Sequence, residues 1–566
     1  MSRKSKKTKP NTPLVDNLSN EPTVVMYREL HKASQPYKHA VFYPLCDQEV
    51  MRNVHEEAKN NMRATFKETD LFKLFQTADF GNLQDGDPLA AKMPELMNLR
   101  SKIYSKDFRD FIQKVTGCRE LTDRVDCSMN AYATGCHLMC HDDVIGTRCI
   151  SYIIYLTDPD DDWNPEDGGA LELYPLDTRP GLRIPESAPT VNVMPKFNSM
   201  ALFAVQPGCS YHAVQEVYAE DKPRLSISGW YHTTEPPVGS DLASLSQIMS
   251  KGDAEVEFTP IEGEVYSSLK EEEEDDDKDL TLSEEDRVYL SRWINPVYLQ
   301  AKSIAKVQKT FLKDSSIQLA SFLAEDVIKA LVDQVRKVDD ADGLGVSRVP
   351  SGYELGAEAG SGWEVRGPPH KQRFLALSDG TIETTSCSSR LGQTMKDVRD
   401  SLFKSEQFSR FLYILTHMKP TSRRGEVRRF RPGLDYTVAH YGTMVEESRL
   451  DATLCVCSVK DEDEAEAWES GDVGGFECYI EADADADAAA TAEVYRANND
   501  DDDTELLSIQ AGCNVLNIVL RDKGVMRFIK YVSNRAPSSR CDITMEFEVE
   551  QNDDDDDDDL AAIDEG

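Results

Sequence analysis

The chain has 566 residues, 40% of them hydrophobic, and its 102 acidic and 63 basic residues give a formal net charge of −39. This length exceeds what one ordinary hydrophobic core accommodates, so two domains are expected. The charge disfavours binding to nucleic-acid phosphates, no apolar run is long enough for a membrane helix, and the 13 cysteines lack the spacing of a disulfide framework. We therefore expect a protein with reduced thiols that stays inside the cell.

Changes in composition mark the domain boundaries. The N-terminal residues are polar and basic, and their cluster of lysines and arginine fits either a nuclear import signal or a solubilising tail. The run KEEEEDDDKD is too charged to bury and separates two regions of globular composition. The predicted order is a disordered basic tail, a catalytic domain, an acidic linker, a non-catalytic domain and a disordered acidic tail, at residues 1–20, 21–240, 241–285, 286–550 and 551–566.

The first domain begins with helical patterns and continues with strands. Residues 47–67 and 93–115 have helical periodicity, whereas short β-branched and aromatic runs follow from Ser128. The clearest strands are 149–156 and 224–232, and in the second of these the polar and apolar residues alternate. We therefore expect helices that support a sheet-rich core.

The second domain repeats this order of helices followed by strands. Its acidic segments 481–490 and 498–503 are predicted to be surface loops. The motif DGGALELY at 167–174 has a counterpart in VGGFECYI at 473–480. The two domains are therefore interpreted as diverged copies of one fold.

The chemistry is concentrated in three short motifs. CHDDVIGTR contains His141 and Asp143 as an H-x-D pair, His212 follows 69 residues after Asp143, and Arg224 follows His212 by 12. Two histidines and one carboxylate form a facial triad, which binds iron(II) and leaves coordination positions open. If H-x-D lies on a strand, both side chains point the same way. The guanidinium of Arg224, on the last strand, can hold a carboxylate of a bound ligand in a bidentate pair.

These motifs resemble the ribosomal prolyl 3-hydroxylase family of iron(II)- and 2-oxoglutarate-dependent oxygenases. The similarity rests on HDDVIGTRCISYIIYLTD, DGGALELYP and RLSISGWYH, and it continues through RWINPVYL, FRPGLDYTVAHYG and VMRFIKYVSNRAPSSRCD in the second domain. It spans roughly residues 25–550. The resemblance implies an α+β, mainly β fold with two double-stranded β-helix domains of the jelly-roll or cupin type, supporting helices, and a degenerate second domain.

The resemblance also implies residue roles and cofactors. Iron(II) would be the metal, 2-oxoglutarate and dioxygen the cosubstrates, and ascorbate an auxiliary reductant. Tyr132 and Tyr155 match positions that contact 2-oxoglutarate in similar proteins, although a buried tyrosine hydroxyl needs a partner in any case. The expected site comprises His141, Asp143 and His212 for iron, Arg224, Tyr132 and Tyr155 for 2-oxoglutarate, and Ser226 and Trp230 behind them.

Similar proteins hydroxylate C3 of one proline in the decoding-centre protein of the small ribosomal subunit, which implies an effect on translation accuracy or termination. A basic ribosomal protein is electrostatically compatible with a chain of charge −39. The basic N-terminal cluster is the basis for an expected nuclear and cytoplasmic location, and translation factors are candidate partners of the second domain. Sequence-specific nucleic-acid binding and membrane association are not expected. Another protein target would satisfy the same residues.

Three alternatives remain open at this stage. The triad could hold zinc in a hydrolase, although Arg224 has no role there. Cys136, His137, Cys140 and His141 could form a zinc knuckle, although buried thiols explain the cysteines more simply. The chain could also be a translation-associated scaffold without catalysis, which the intact triad disfavours.

The second domain is expected to lack iron. In the sequence alignment of the two copies, Phe528 falls where His212 lies, and Arg540 follows it by 12 residues, as Arg224 follows His212. His440 has no acid after it at the required spacing. This domain is therefore expected to bind the substrate protein, a translation factor or another copy of the chain, with Arg540 as a structural remnant.

Overall fold

The computed structural model describes residues 14–18, 20–84, 86–179, 183–249, 257–274, 277–383, 385–481 and 505–550. The predicted acidic loop 498–503, the acidic tail and residues 1–13 and 19 of the basic tail lie outside these ranges, as does the loop at 481–490 apart from its first residue. The prediction that the whole basic tail is disordered is wrong at its end, because Leu14–Asp16 form a 3-10 helix in which Leu14 is buried. Within the described part of the chain, no helix has the length and apolar character needed to cross a membrane.

In the residues that the structure describes, the first domain combines five α-helices with eleven strands. The helices are α1 to α5, at Glu21–Ala33, Gln48–Asn61, Pro94–Ile103, Lys106–Thr116 and Ser244–Ile248. The strands are β1 to β11, at His39–Phe42, Thr65–Glu68, Phe72–Gln76, Cys127–Tyr132, His137–His141, Arg148–Tyr155, Leu171–Leu173, Val191–Val193, Met200–Ala204, His212–Val214 and Arg224–His232.

The eleven strands form one curled antiparallel sheet in the order β1-β9-β6-β11-β4-β3-β5-β10-β7-β8, with β2 paired to β3. Alternate residues of β6 show how this sheet divides space. Ile150, Tyr152 and Ile154 pack against the helices, whereas Ile153 and Tyr155 contact residues of β7 inside the barrel. The face of the sheet that points into the barrel carries the polar residues of the candidate functional site.

The second domain repeats this plan with more helices. Its helices α6 to α11 lie at Glu284–Leu290, Ala301–Asp314, Glu325–Asp342, Cys387–Val398, Glu406–Thr416 and Glu462–Glu469, with a π-helical turn at Arg399–Phe403. Its strands β12 to β25 lie at Thr259–Pro260, Lys270–Glu274, Asp277–Thr281, Ser316–Ala320, Trp363–Arg366, Gln372–Leu377, Pro420–Phe430, Tyr436–Thr437, Arg449–Cys457, Glu477–Glu481, Glu505–Ile509, Val515–Arg521, Val525–Ile529 and Arg540–Val549.

Two sheets form the second barrel. One has the order β15-β23-β20-β25-β18-β17-β16, with β12 and β19 paired at its sides, and the other has the order β22-β21-β24. The hairpin β13–β14 is separate from both. The expected fold class, mainly β with two jelly-roll domains and supporting helices, is confirmed.

The predicted helices at 47–67 and 93–115 are too long. Asp47 caps α2, but this helix ends at Asn61 and Thr65–Glu68 forms β2. The second region is two helices, because the Ser105 hydroxyl accepts a hydrogen bond from the Phe108 amide at 3.3 Å and so begins α4 as its N-cap.

The two domains share a buried apolar cluster. The first domain contributes Leu71, Met139 and Ile248, and the second contributes Tyr436 and Tyr531. Ile248 belongs to α5, which lies within the predicted linker. This part of the linker is therefore a helix that contacts both domains.

Candidate metal centre and cosubstrate pocket

The H-x-D motif lies at the end of β5. His141 is the last residue of that strand, and Asp143 lies beyond it with φ of +62°. The expectation that both ligands alternate along one strand is therefore wrong. A left-handed turn, which Asp adopts more readily than most residues, returns the Asp143 carboxylate towards His141.

His212 faces His141 from the neighbouring strand. It is the first residue of β10 and lies directly opposite His141 in the β5–β10 register. The Nε2 atom of His141 is 3.2 Å from Asp143 Oδ1, and that of His212 is 3.5 Å from Asp143 Oδ2. All three side chains are buried, and one potential ligand atom from each lies within 4.8 Å of the others. The structure thus brings together residues that are 69 positions apart in sequence.

Hydrogen bonds to the main chain orient both imidazoles. Nδ1 of His141 bonds the Met139 carbonyl at 2.8 Å, and Nδ1 of His212 bonds the Ser210 carbonyl at 3.0 Å. Each Nε2 is therefore directed at the shared centre. This arrangement is common for metal-binding histidines, whose second nitrogen fixes the tautomer and the ring orientation.

The charges also suit a divalent metal. Burial, and then the adjacent His141, lower the pKa of His212 to about 4. Burial opposes ionisation of Asp143, but the two histidines outweigh it and hold the pKa of the carboxyl below its usual range. A neutral imidazole beside a carboxylate is a donor set that iron(II) accepts.

Two side chains behind Asp143 orient its carboxylate. Ser151 Oγ donates to Oδ2 at 2.8 Å, and Trp230 Nε1 donates to the same oxygen at 3.1 Å. Trp230 thus lies where the sequence predicted a supporting residue. Ser151 was missed, although it shares the interior face of β6 with Tyr155, and that alternation could have identified it.

Asp142, between the two ligands, points the other way. Its buried carboxylate accepts hydrogen bonds from the amides of Gly208 and Ser244, each at 2.9 Å, and from the Ser244 hydroxyl at 2.9 Å. Ser244 is the first residue of α5. The turn that carries Asp143 is therefore anchored to a helix that sequence reasoning assigned to the linker.

Arg224 lies inside the barrel beside the triad. Its guanidinium carbon is 4.9 Å from the Tyr132 ring centre and 5.1 Å from that of Tyr155, and its Nη1 is 3.4 Å from Ser226 Oγ. All four residues are buried. Arg224 Nε, Arg224 Nη2 and the Tyr155 hydroxyl make no well-aligned hydrogen bond within the described chain, although the Arg224 guanidinium is close enough to the Tyr155 hydroxyl to oppose the rise in its pKa that burial causes.

Buried polar atoms without partners are costly, so they indicate a missing ligand. A guanidinium and a phenol hydroxyl provide the donors that a carboxylate accepts. These residues therefore fit the distal carboxylate of 2-oxoglutarate. Ser226 accepts a hydrogen bond from Arg224, so it helps to orient the guanidinium that faces 2-oxoglutarate.

The paired glycines of DGGALELY permit this pocket. Gly168 and Gly169 have φ of +70° and +67°. A Cβ at Gly168 would lie 2.1 Å from the Glu216 carbonyl, and one at Gly169 would lie 2.8 Å from Arg224 Cδ. Both positions thus require glycine, and the second protects the position of Arg224.

The zinc-knuckle alternative is not supported. Among the described residues, the one group of three or more potential metal ligands is His141, Asp143 and His212. Cys136 and Cys140 are buried in two separate apolar clusters. Nδ1 of His137 bonds the Gly135 carbonyl at 2.9 Å.

The second barrel contains an arginine where the first has a metal-ligand histidine. His212 lies opposite Leu173, five residues after Gly168, and Arg527 lies opposite Tyr479, five residues after Gly474. The prediction that Phe528 takes the place of His212 is therefore wrong by one residue. The error arose because the loop from Arg527 to Arg540 is one residue longer than its counterpart.

Arg527 is part of a buried network of charges. Its Nη1 is 3.0 Å from Asp451, its Nε is 3.6 Å from Glu477 and its Nη2 is 3.3 Å from Glu546. Arg540 continues the network, 3.8 Å from Glu477. Ion pairs thus occupy the part of this barrel that corresponds to the metal site.

Comparison with known proteins agrees with the geometry. A model of the 2OG-Fe(II) oxygenase superfamily matches residues 127–232, and one described as oxoglutarate and iron-dependent oxygenase degradation C-term matches residues 285–556. The first match contains the triad and Arg224. The chain is therefore an iron(II)- and 2-oxoglutarate-dependent oxygenase.

Relatives identify the branch of that class. The chain is 38% identical over 522 residues to prolyl 3,4-dihydroxylase OGFOD1 of Ostreococcus tauri, covering 90% of this chain and 95% of that one. It is 25% identical over 539 residues to prolyl 3-hydroxylase OGFOD1 of Xenopus laevis, covering 89% and 84%. Prolyl 3-hydroxylase sudestada1 of Drosophila melanogaster is 25% identical over 487 residues, covering 83% and 75%. The chain belongs to the OGFOD1 prolyl hydroxylase family.

Proposed function

We propose that this oxygenase hydroxylates C3 of a proline in the decoding-centre protein of the small ribosomal subunit, and so affects translation accuracy or termination. The observation that carries the catalytic part is the buried triad beside an arginine with two guanidinium nitrogens that lack well-aligned partners in the described structure. The choice of proline is supported by full-length relatives named prolyl 3-hydroxylase and prolyl 3,4-dihydroxylase. A basic substrate suits the charge of −39.

The residues divide the work by position. His141, Asp143 and His212 hold iron(II), while Arg224 and Tyr155 hold the distal carboxylate of 2-oxoglutarate. Tyr132 packs against the Arg224 guanidinium and limits its movement. Iron(II) with 2-oxoglutarate and dioxygen supplies the oxidation of the C–H bond, with succinate and carbon dioxide as co-products. The protein binds the reactants, orients them and excludes water from the buried centre.

One groove of the first domain lies near a residue that supports the metal ligands, but no residue of the triad or of the Arg224 pocket lines it. Its volume is about 690 Å³, and its described lining includes Arg119, Arg148 and Arg183 but no acidic residue. The Arg148 guanidinium lies 3.5 Å from the centre of the Trp230 ring, and Trp230 bonds Asp143. The groove is therefore connected to Asp143 only through Arg148 and Trp230.

The test is mass spectrometry of the purified decoding-centre protein after incubation with enzyme, iron(II) and 2-oxoglutarate. We expect one proline to gain oxygen with the wild type and none with His212→Ala, because a facial triad without one imidazole holds iron poorly. His39→Ala is the matched control, since His39 is a partly buried histidine whose Nδ1 bonds the Tyr37 carbonyl. It should retain activity. An equal oxygen gain with His212→Ala would refute the site.

The same experiment separates the alternatives. Because hydroxylation at C3 and at C4 gives isomers of equal mass, amino-acid analysis against 3- and 4-hydroxyproline standards assigns the carbon, and C4 alone would refute C3 chemistry. No oxygen gain despite turnover of 2-oxoglutarate would favour another protein target. Binding of translation factors without any turnover would favour the scaffold function. We also propose a nuclear and cytoplasmic location, supported by the basic N-terminal cluster, and contacts between the second domain and translation factors.

A further inference from the structure

Two buried glutamates connect the strands around His212 to the second domain. Glu172 lies in β7, opposite Ala213, and Glu216 follows the end of β10 by two residues. Glu172 accepts a hydrogen bond from the Tyr353 hydroxyl, which belongs to the second domain. Because β7 pairs with β10, Glu172 of β7 connects the second domain indirectly to the strand that carries His212. Glu216 makes the direct connection.

Glu216 has the more extensive contacts. Its carboxylate accepts a hydrogen bond from the Tyr531 hydroxyl at 3.2 Å, one from the Asn534 amide at 2.9 Å and one from the Ser533 hydroxyl. The side chain is 1% exposed. Burial raises the pKa of Glu216 to about 7, while its donors oppose this. A carboxylate buried at such cost is stable only while these donors stay in place.

The main chain between His212 and Glu216 has little freedom to move. The Gln215 amide bonds the Ala170 carbonyl at 3.0 Å, and the Gly169 amide bonds the Glu216 carbonyl at 3.1 Å. Gly168 leaves no space for a Cβ against that carbonyl. Glu216 and the His212 strand therefore belong to one hydrogen-bonded unit.

On this geometry we propose that Glu216 is a positioning residue for the metal centre. It fixes the end of the His212 strand to the Tyr531–Asn534 segment, so that the second domain sets the distance between His212 and the pair His141 and Asp143. The non-catalytic barrel thus acts as a rigid support for iron binding. This role does not depend on which protein is hydroxylated.

The test measures iron(II) binding to the full-length chain without oxygen or substrate. We expect Glu216→Ala to weaken iron(II) binding by about tenfold or more, the range typical when groups behind metal ligands are lost. The visible charge-transfer absorption of the iron(II) and 2-oxoglutarate complex should also shift, because it reports the geometry around the metal. Glu216→Gln, which keeps an acceptor oxygen, should restore most of the affinity. A folded Glu216→Ala protein with unchanged affinity and absorption would overturn the proposal.

Asp339→Asn is the control for general loosening. Asp339 is also a buried carboxylate that accepts bonds from a serine hydroxyl and a main-chain amide, those of Ser539, but it lies within the second domain. We expect it to lower the melting temperature without changing iron affinity, and equal weakening in this variant would overturn the proposal. If Glu216→Ala does not fold, Tyr531→Phe with Ser533→Ala removes two donors, and wild-type iron affinity there would also overturn it.

Discussion

Arg224 is the residue whose chemistry can be tested most directly. Its guanidinium is buried between Tyr132 and Tyr155, with two nitrogen atoms that lack partners in the described structure. Arg224→Lys keeps the charge but loses the planar pair of donors, so we expect 2-oxoglutarate affinity to fall by about 2 kcal/mol, roughly 30-fold. Calorimetric titration checks this. Iron(II) affinity should change little.

Arg52→Lys is the matched control for that substitution. Arg52 makes an exposed ion pair with Asp160 at 2.7 Å, remote from the metal centre, and exposed pairs contribute little. Its 2-oxoglutarate affinity should equal that of the wild type. If Arg224→Lys also binds 2-oxoglutarate normally, Arg224 does not hold its distal carboxylate.

At the residue scale, the sequence predicted which side chains converge but not how. The spacing of His141, Asp143 and His212 identified the triad, because two histidines and one carboxylate are a recognised set of ligands for iron(II). The left-handed conformation of Asp143 was not predictable, since any short polar residue adopts it only where the surrounding turn requires it. Arg527 was missed because a loop longer by one residue shifts the apparent alignment.

At the scale of elements, the Gly168–Gly169 turn before β7 controls both the strand and the pocket. Gly169→Ala introduces strain at φ of +67° and a Cβ 2.8 Å from Arg224 Cδ. We expect a loss of stability of about 1–3 kcal/mol together with weaker 2-oxoglutarate binding. Chemical denaturation and calorimetric titration measure the two effects.

Gly343 allows the strain to be separated from the steric clash. It ends α8 at φ of +68°, and a Cβ there would meet nothing within 4 Å. Gly343→Ala should therefore lower the free energy of unfolding through backbone strain, as Gly169→Ala does, but it should leave 2-oxoglutarate affinity unchanged. Equal 2-oxoglutarate affinity in both variants would show that Gly169 has no role in positioning Arg224.

Elements were predicted well where periodicity alone decides them. The strands at 149–156 and 224–232 are β6 and β11, each within one residue. The helix boundaries were less accurate, since the Ser105 cap and the end of α2 depend on single residues. Helix α5 was missed because its role comes from Ser244 and Ile248, which contact residues distant in sequence.

At the scale of the molecule, the two barrels share a plan but differ in their interiors. The first barrel holds the His141, Asp143 and His212 triad, whereas the second fills the corresponding space with ion pairs among Arg527, Asp451 and Glu546. Removing one member of such a buried network typically costs about 3–5 kcal/mol, because its partners remain charged and unpaired. The second barrel therefore depends on this network being complete.

This difference predicts one iron per chain. Metal analysis and anaerobic titration of the wild type should saturate at a single equivalent of iron(II), and His212→Ala should lose it. Arg527→Leu should keep the full equivalent while lowering the melting temperature, since it disrupts ion pairs in the second barrel and leaves the triad intact. A second equivalent in the wild type, or retention of iron at full affinity by His212→Ala, would mean that metal binds outside the triad. In that case the Arg527 ion pairs would not be the reason why the second barrel lacks a metal site.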